Sequence, residues 1–410
     1  MKHYLVGGAV RDQLLGIPVI DHDWVVVGST PDDMLKAGFK SVGKDFPVFL
    51  HPDSHEEYAL ARVERKTGPG YHGFEFSTDA SVTLEEDLSR RDLTINAIAQ
   101  RKNGELVDPF NGKADIENRV LRHVSKAFVE DPVRILRIAK FMARFSHLGF
   151  TIADETLELM RHMVDAGEVD NLVPERIWQE MQGALLARTP GAFFQALRAC
   201  GALAVILPEV DALFGVPQPA KWHPEIDSGI HTLMVLEQAA LQSTELDVRF
   251  AALCHDLGKA TTPTDILPSH HGHEERGARL TETLCERLRV PKKTRDIAVL
   301  TARWHTHCHR SIDSKASKLV KLLQSMDVVR KPERFEYYLQ VCKADARGRL
   351  GQEQSAYPQA DFLRQVAKVF LQVDTAAIAR ATDDKSTIAA RITEARVNTI
   401  KQWLDSYPSD

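Results

Sequence analysis

The spacing of apolar residues in this chain changes once, near residue 112, and that change limits what it can fold into. From Tyr4 to about Gly112, short β-rich runs (WVVVG, FPVFL, YALARV) alternate with turn-rich segments and one or two short helical patterns, which predicts a small α+β head. KTGPGYHGFEF reads as its most mobile loop. From about Asp115 onward apolar residues recur at helical spacing almost continuously, with breaks at Pro174, Pro190, Pro208 and Pro224. The proline-interrupted VPQPAKWHPEIDSG suits a boundary near residue 225. The expected fold class is therefore α+β: a head over residues 1–140, a helical body over 141–225, a histidine-rich helical domain over 226–348 and a helical tail over 349–410. The tail carries no cluster of catalytic residue types and reads as a packing or RNA-contacting element. A length of 410 residues with 43% apolar residues agrees with two or three domains.

Within the head, Asp21 and Asp23 follow the glycine-rich LVGGAVRDQLLG and open the run WVVVG. Residues two apart on a strand share a face, so these carboxylates would converge on a hard cation such as Mg²⁺. Gly7 and Gly8 allow close backbone approach to a triphosphate, and Arg11, one turn into a helix, adds a cation for its oxygens. A glycine pair alone makes ordinary turns as readily; the aspartates a dozen residues on are what favour phosphate. In-line displacement of pyrophosphate uses two ions about 3.5–4 Å apart, and a third acid usually helps to bridge them. Glu57 in HEEYALARVER is the candidate, since it begins a strand that can lie beside the first; a solvated strand-end glutamate reads equally well.

Further on, LSRRDLTINAIA places Arg90 and Arg91 before Asp92. This is either a self-paired surface cluster or a site in which Arg91 binds nucleotide phosphate or ribose and Asp92 orients it. In EDPVRILRIAKF, Arg134, Arg137 and Lys140 recur every third residue, each step falling about 60° short of a full turn. They form a slanting polar row on an otherwise apolar helix, the pattern of a helix that lines a cleft. Asp131 offers acceptors and Arg134 donors for the edge of a base; an Asp131–Arg134 ion pair at i, i+3 is the plainer alternative.

In that order, GGAVRD, DHD, RRDLTINA, DPFNG, EDPVRILR and PERIW over roughly the first 180 residues resemble the class II tRNA nucleotidyltransferases, the CCA-adding enzymes. The resemblance implies a polymerase-β-like nucleotidyltransferase head that adds C, C and A to tRNA 3′ ends from CTP and ATP without a nucleic-acid template. It implies that Asp21 and Asp23 hold Mg²⁺ and that Gly8, Arg11, Arg91, Arg137 and Lys140 contact the incoming nucleotide. Asp131 and Arg134 would stand in for the template. The family commonly has arginine where this chain has Lys140, and lysine keeps the charge but loses the planar fork.

His255 and Asp256 adjoin one another in RFAALCHDLGK, at the end of an apolar helix. The dipeptide gains meaning from His231 before it and from HHGHEERGA, His305 and Asp345 after it. Such ligands from separate helices suit a divalent metal that activates water. Their order is similar to the HD phosphohydrolase superfamily, and an HD module behind a CCA-adding head is similar to bacterial proteins that carry both in one chain. That likeness implies 2′,3′-cyclic phosphodiesterase, 2′-nucleotidase and phosphatase activities served by Ni²⁺ or another transition metal. His231, His255, Asp256 and Asp345 are the expected ligands. His273 and His305 are either substrate or second-metal ligands or helix-surface histidines, His270 and His271 are loop residues, and His307 and His309 have no assigned role.

The remaining features bound the partners. A net charge of −5 does not fit a protein that coats nucleic acid indiscriminately, so tRNA contacts should be patchy, with RVERK, RLRVPKKTR and KASKLVK as candidates. The five cysteines are scattered and lack a CxxC pair, and no run is long enough to span a bilayer, so a cytoplasmic protein is expected, with no membrane partner. A monomer and a homodimer are both compatible with the sequence. The competing readings are a poly(A) polymerase on the same head, an HD nucleotide hydrolase whose head only binds nucleotide, and a non-catalytic RNA-binding scaffold.

Overall fold

The computed structural model describes residues 1–42, 48–66, 74–77 and 79–407. The chain forms two compact units, one of Met1–Glu180 with Ala192–Ile206 and one of Met181–Gly191 with Leu207–Asp410.

In the first unit the strands are β1 (Lys2–Val6), β2 (Asp23–Val27), β3 (Lys40–Val42), β4 (Val48–Leu50), β5 (Glu57–Leu60), β6 (Val63–Lys66), β7 (Phe74–Ser77), β8 (Ala99–Gln100) and β9 (Leu106–Val107). Seven of them form one sheet in the order β3-β4-β5-β2-β1-β8-β9. Within it β2 and β5 are parallel and the other neighbours antiparallel. The run YALARV, expected as one strand, splits between β5 and β6, and β6 pairs only with β7 in a separate hairpin. The expected mobile loop falls largely on 67–73, outside the described residues.

Alternation along β2 explains why the sheet is covered on both faces. Val25 joins Tyr4, Val6, Ala61, Val82, Leu88, Ala97 and Ala99 on one side. Val26 joins Met34, Phe39, Phe49, Tyr58 and Leu60 on the other. Five helices belong to the head: α1 (Gly8–Leu15), α2 (Pro31–Lys36), α3 (Leu84–Ser89), α4 (Gly112–Asn118) and α5 (Val133–Phe145). Thr83 caps α3 in a capping box with Glu86, which fixes the register of the Asp87, Arg90 and Arg91 side chains that follow.

The second unit is helical. Its core gathers Leu319, Leu323, Tyr338, Leu339 and Cys342 with Phe362, Leu363, Val366, Phe370 and Ile400 from the tail. The tail helices Pro358–Leu371 and Ile388–Ser406 therefore serve as packing elements, one of the two roles expected of them. Asp227 caps the helix Ser228–Gln242 by accepting from the Gly229 and Ile230 amides, and so fixes where His231 stands. The helix Leu246–Cys254 ends with His255 as its C-cap and runs into a short 3₁₀ turn, Leu257–Thr261. At Gly258 a Cβ would lie 2.0 Å from the His273 carbonyl oxygen and 2.4 Å from the Gly277 amide nitrogen. Only glycine lets this turn press onto the helix His273–Arg287. All five cysteines are free and buried. Among the described residues no helix is long and apolar enough to cross a membrane.

Candidate active sites

The first candidate site lies where β1 leaves the sheet. Val6 pairs with Asp23, and Asp23 pairs in parallel register with Glu57, so the Gly7–Gly8 turn and both carboxylates stand at one end of the sheet. Asp23 and Glu57, as Cα partners, share the face that Val25 occupies two residues on. Asp21, expected on the strand, instead precedes it, because the ladder with β1 starts at Asp23. Asp21, Asp23 and Glu57 are all exposed. His22 and Glu56 sit 3.6 Å apart, and Glu56 accepts from the Trp24 indole at 3.2 Å.

Gly7 adopts φ +66°, and a Cβ there would meet Arg91 Nη1 at 2.9 Å, so the Arg91 guanidinium covers the turn. Gly8 opens α1, with Gly7 as its N-cap. Arg11 is only 3% exposed: Nη1 donates to Asn96 Oδ1 at 2.6 Å, Nε donates to Asp12 Oδ1 at 2.8 Å, and the rings of Phe141 and Phe145 lie beneath it. Burial lowers its pKa. The sequence placed Arg11 directly on a triphosphate, whereas the fold ties it inward, to the Asn96 loop.

The residue that orients Arg91 also differs from expectation. Asp87 within α3 accepts from Arg91 Nη2 at 3.2 Å, from Arg90 Nη2 at 2.8 Å and from the Arg62 amide at 3.3 Å. Burial would raise its carboxyl, but Arg91 and Arg90 outweigh burial and hold it below the usual range. Asp92 turns to α5 instead, where Arg137 Nε donates to its Oδ2 at 2.8 Å, while Asn96 and the Leu93 amide bond Oδ1. The chain turn after α3 explains the exchange: Arg90 is the C-cap, and Arg91 just beyond it comes back over Asp87 four residues earlier.

The cationic row of α5 is present, and its members meet different partners. Arg134 is buried and donates through Nη1 to the Ala127 carbonyl (2.9 Å) and through Nη2 to the Arg90 carbonyl (2.7 Å). Arg137 holds Asp92, which raises the arginine's pKa. Lys140 pairs with the buried Glu180. One turn beyond, Arg144, which the sequence reading missed, bonds Asp12 at 2.8 Å. Asp131 accepts from the Val133 amide at 3.0 Å, just ahead of the helix.

The second candidate site joins all six expected residues. His231 Nε2 lies 3.2 Å from Asp345 Oδ1 and 3.7 Å from Asp256 Oδ2. His255 Nε2 lies 3.1 Å from Asp256 Oδ2 and 3.9 Å from Asp345 Oδ1. On the other side of the same carboxylate, His273 Nε2 and His305 Nε2 each lie 3.4 Å from Asp256 Oδ1 and 3.2 Å from one another. Asp256 thus joins two sets, His231, His255 and Asp345 on one oxygen and His273 and His305 on the other. His273 and His305 are buried and in the cluster rather than on a helix surface.

The donor set fits divalent metal. His255 Nε2 and Asp256 Oδ1 are buried without a hydrogen-bond partner, which for a carboxylate and an imidazole is costly unless a cation is held there. Burial drives the His273 pKa down to about 4, leaving a neutral ring able to ligate. Burial would raise Asp256 and Asp345, but neighbouring histidines, with Lys259 at Asp256, hold both well below the usual range.

Several residues around this cluster escaped the sequence reading. Lys259 Nζ lies 2.6 Å from Asp256 Oδ2 and donates to Gln218 Oε1 at 2.5 Å. Glu225 Oε1 lies 3.0 Å from His231 Nδ1 and 2.9 Å from His223 Nδ1. His309, left without a role, places Nε2 2.6 Å from Asp345 Oδ2 and Nδ1 2.9 Å from the Tyr357 hydroxyl. Tyr357 shows that the tail, read as free of site residues, reaches this centre. Only Lys259, three residues after Asp256, had a local signal.

Comparison with known proteins agrees with both halves. Residues 3–122 match the family described as the poly A polymerase head domain, 149–214 the probable RNA and SrmB-binding site of polymerase A, and 229–331 the HD domain. The chain is 63% identical over 364 residues to the multifunctional CCA protein of Thioalkalivibrio sulfidiphilus, covering 89% of each. It is 59% identical over 401 residues to that of Laribacter hongkongensis, covering 98% of each. Its fold resembles the CCA-adding enzyme of Bacillus stearothermophilus crystallised with CTP, with a TM-score of 0.63 at 22% identity over 98% of this chain and 92% of the other. With a polymerase head ahead of a helical body and an HD domain, and with identity of this degree along nearly its whole length, the chain belongs to the multifunctional CCA protein family.

Proposed function

We propose that the head adds C, C and A to the 3′ ends of tRNA from CTP and ATP, in maturation and in repair of damaged ends. The strongest support is the strand register that aligns Val6, Asp23 and Glu57, with the Arg91-covered Gly7–Gly8 turn at the same sheet end. There Asp21, Asp23 and Glu57 would hold Mg²⁺, which supplies charge stabilisation for the attacking hydroxyl and the departing pyrophosphate. Arg91, Gly8 and Arg137 would bind the nucleotide, with Lys140 beside them held by Glu180. Arg11 supports the same surface from below through Asn96. Asp131 and Arg134 would read the base edge. The Ala127 and Arg90 carbonyls, to which Arg134 donates, would hold its guanidinium in place for that role.

The HD centre would hydrolyse 2′,3′-cyclic phosphodiesters, 2′-nucleotides and phosphomonoesters. A transition metal such as Ni²⁺, held by His231, His255, Asp256 and Asp345, would lower the pKa of a bound water. His273 and His305 are the ligands for a second ion.

Identity of 59% over 98% of the chain with a CCA protein supports CCA addition over polyadenylation. Purified protein with Mg²⁺ is expected to add labelled CMP and then AMP to tRNA lacking CCA, and EDTA to abolish it; long runs of A without use of CTP would refute the reading. Asp23→Ala should abolish addition while sparing hydrolysis of a 2′,3′-cyclic nucleotide, and His255→Ala should do the reverse. Loss of both activities in either folded variant would contradict two separate centres.

A further inference from the structure

The segment before the helix Ser228–Gln242 is built onto the HD cluster. Pro217 bridges Asp227, the Gln218 amide donates to the Ile226 carbonyl at 2.6 Å, and the Gln218 side chain receives Lys259 from the metal-facing side. Glu225 holds both His223 and the expected ligand His231, whose rings are 4.6 Å apart. Ile226 sits at φ +61°, a conformation that β-branched residues rarely adopt and that persists only where the surroundings impose it.

On this tightly held segment Trp222 is 59% exposed. It follows a turn closed by its own amide to the Pro219 carbonyl and directly precedes His223. Exposure alone is ordinary for a surface side chain, but the setting of this indole gives it a use. Lys221 Nζ stands over the ring, 4.7 Å from its centroid, and Ile226 on this segment and Ile230 in the first turn of the helix that follows leave about half their surface exposed. A largely exposed indole with a cation at its ring supplies both a surface on which a base can stack and a charge for its phosphate.

We propose that Trp222 is the base-stacking platform of the HD centre, receiving the base of the nucleotide whose phosphate the metal cluster processes. The proposal rests on the reading of that cluster as a nucleotide phosphohydrolase. The same chemistry arises from a free nucleotide or from the 3′-terminal nucleotide of an RNA, and Trp222 discriminates neither base strongly, since every base has a π face. It acts on substrate binding and not on the metal, which is held by other residues.

The test is steady-state hydrolysis by the full-length protein loaded with Ni²⁺, using 2′,3′-cyclic AMP, an RNA ending in a 2′,3′-cyclic phosphate, and the base-free phosphomonoester β-glycerophosphate. Trp222→Ala is expected to raise KM for the base-containing substrates roughly 5- to 150-fold, the span of stacking one base on an aromatic ring, with kcat and bound metal unchanged. Trp222→Phe should restore most of it, and β-glycerophosphate should be indifferent. A larger effect on RNA than on the free nucleotide identifies the RNA end as the source, and the reverse identifies the nucleotide. Equal loss with β-glycerophosphate, or no change in KM, overturns the platform. If wild type and His255→Ala hydrolyse alike, the phosphohydrolase reading itself fails. Equilibrium dialysis with 2′-AMP then decides separately, because Trp222→Ala must lose one bound equivalent and an unchanged stoichiometry overturns the proposal.

Discussion

Asp87 is expected to position Arg91, and the exchange of roles with Asp92 makes this measurable. Asp87→Asn keeps the volume and one carbonyl acceptor but removes the charge on which Arg90, Arg91 and the Arg62 amide converge. A hydrogen bond to a charged group is worth roughly 1.5–3 kcal/mol. The Arg90 and Arg91 side chains are 17% and 20% exposed and regain some water, so the lower end applies, and the asparagine carbonyl recovers part of that. A net loss of about 2 kcal/mol in stability follows, with a loss of order 1.4 kcal/mol in the positioning of Arg91 over Gly7, or about tenfold in KM for CTP. The assay is labelled CMP incorporation into tRNA lacking CCA across a range of CTP, arranged as double-mutant cycles with Arg91→Ala. Asp87→Asn and Arg91→Ala should be coupled by about 1 kcal/mol, whereas Asp92→Asn and Arg91→Ala should add to within about 0.5 kcal/mol. Coupling of Arg91 to Asp92, with Asp87 additive, would refute the assignment.

Gly258→Ala should disturb the second centre without replacing any ligand side chain. Its Cβ would fall 2.0 Å from the His273 carbonyl, so the helix must retreat at a cost of roughly 1–3 kcal/mol; lost metal stoichiometry with addition activity intact checks this, and unchanged metal binding counts against it. For Asp92, burial would raise the carboxyl, but Arg137 and Asn96 outweigh it and hold the folded pKa below the unfolded value. Its contribution is therefore fully present above the ordinary aspartate pKa of about 3.9 and is lost as pH falls from there through the depressed folded value. Urea midpoints of wild type should accordingly fall more steeply than those of Asp92→Asn below about pH 4, and parallel profiles would contradict it.

What the sequence could reveal follows from how local each signal is. The glycine turn, DHD and the start of the second β-rich run are each short-range patterns, and the α+β head with a helical remainder followed from them. The pairing of Glu57 with Asp23 joins segments that the chain separates, yet it was inferable because parallel neighbours of similar length can align at their starts. The strand start was misjudged at Asp21 because alternation cannot tell a strand from the extended segment that leads into it. Asp92 is the neighbour of Arg91 in sequence and so its expected partner, whereas the turn that ends α3 at Arg90 brings Arg91 back onto Asp87 four residues earlier. His309 and Tyr357 carry no local pattern at all; what joins them to Asp345 is the packing of the helices Lys292–His309, Pro332–Arg347 and Pro358–Leu371.

The two centres also differ in burial, and that difference bears on which ion each suits. Asp21, Asp23 and Glu57 are exposed. Mg²⁺ dehydrates reluctantly and binds through one or two carboxylates together with substrate phosphates and several waters, so an open set of acids beside a phosphate-accommodating turn matches it. At the HD centre, His231 and His255 are 0% exposed, Asp256 is 1% and Asp345 3% exposed. A buried set rich in imidazole suits an ion that sheds its water and accepts nitrogen, which favours the later transition metals. At the head the proposed ligands are three carboxylates, and the nearby His22 faces Glu56 at 3.6 Å, so the set offers such an ion far less nitrogen than the HD cluster does. Exposure and ligand type thus act in the same direction: as proposed sites, the head would favour Mg²⁺ and the HD cluster a later transition metal, and neither ion would displace the other.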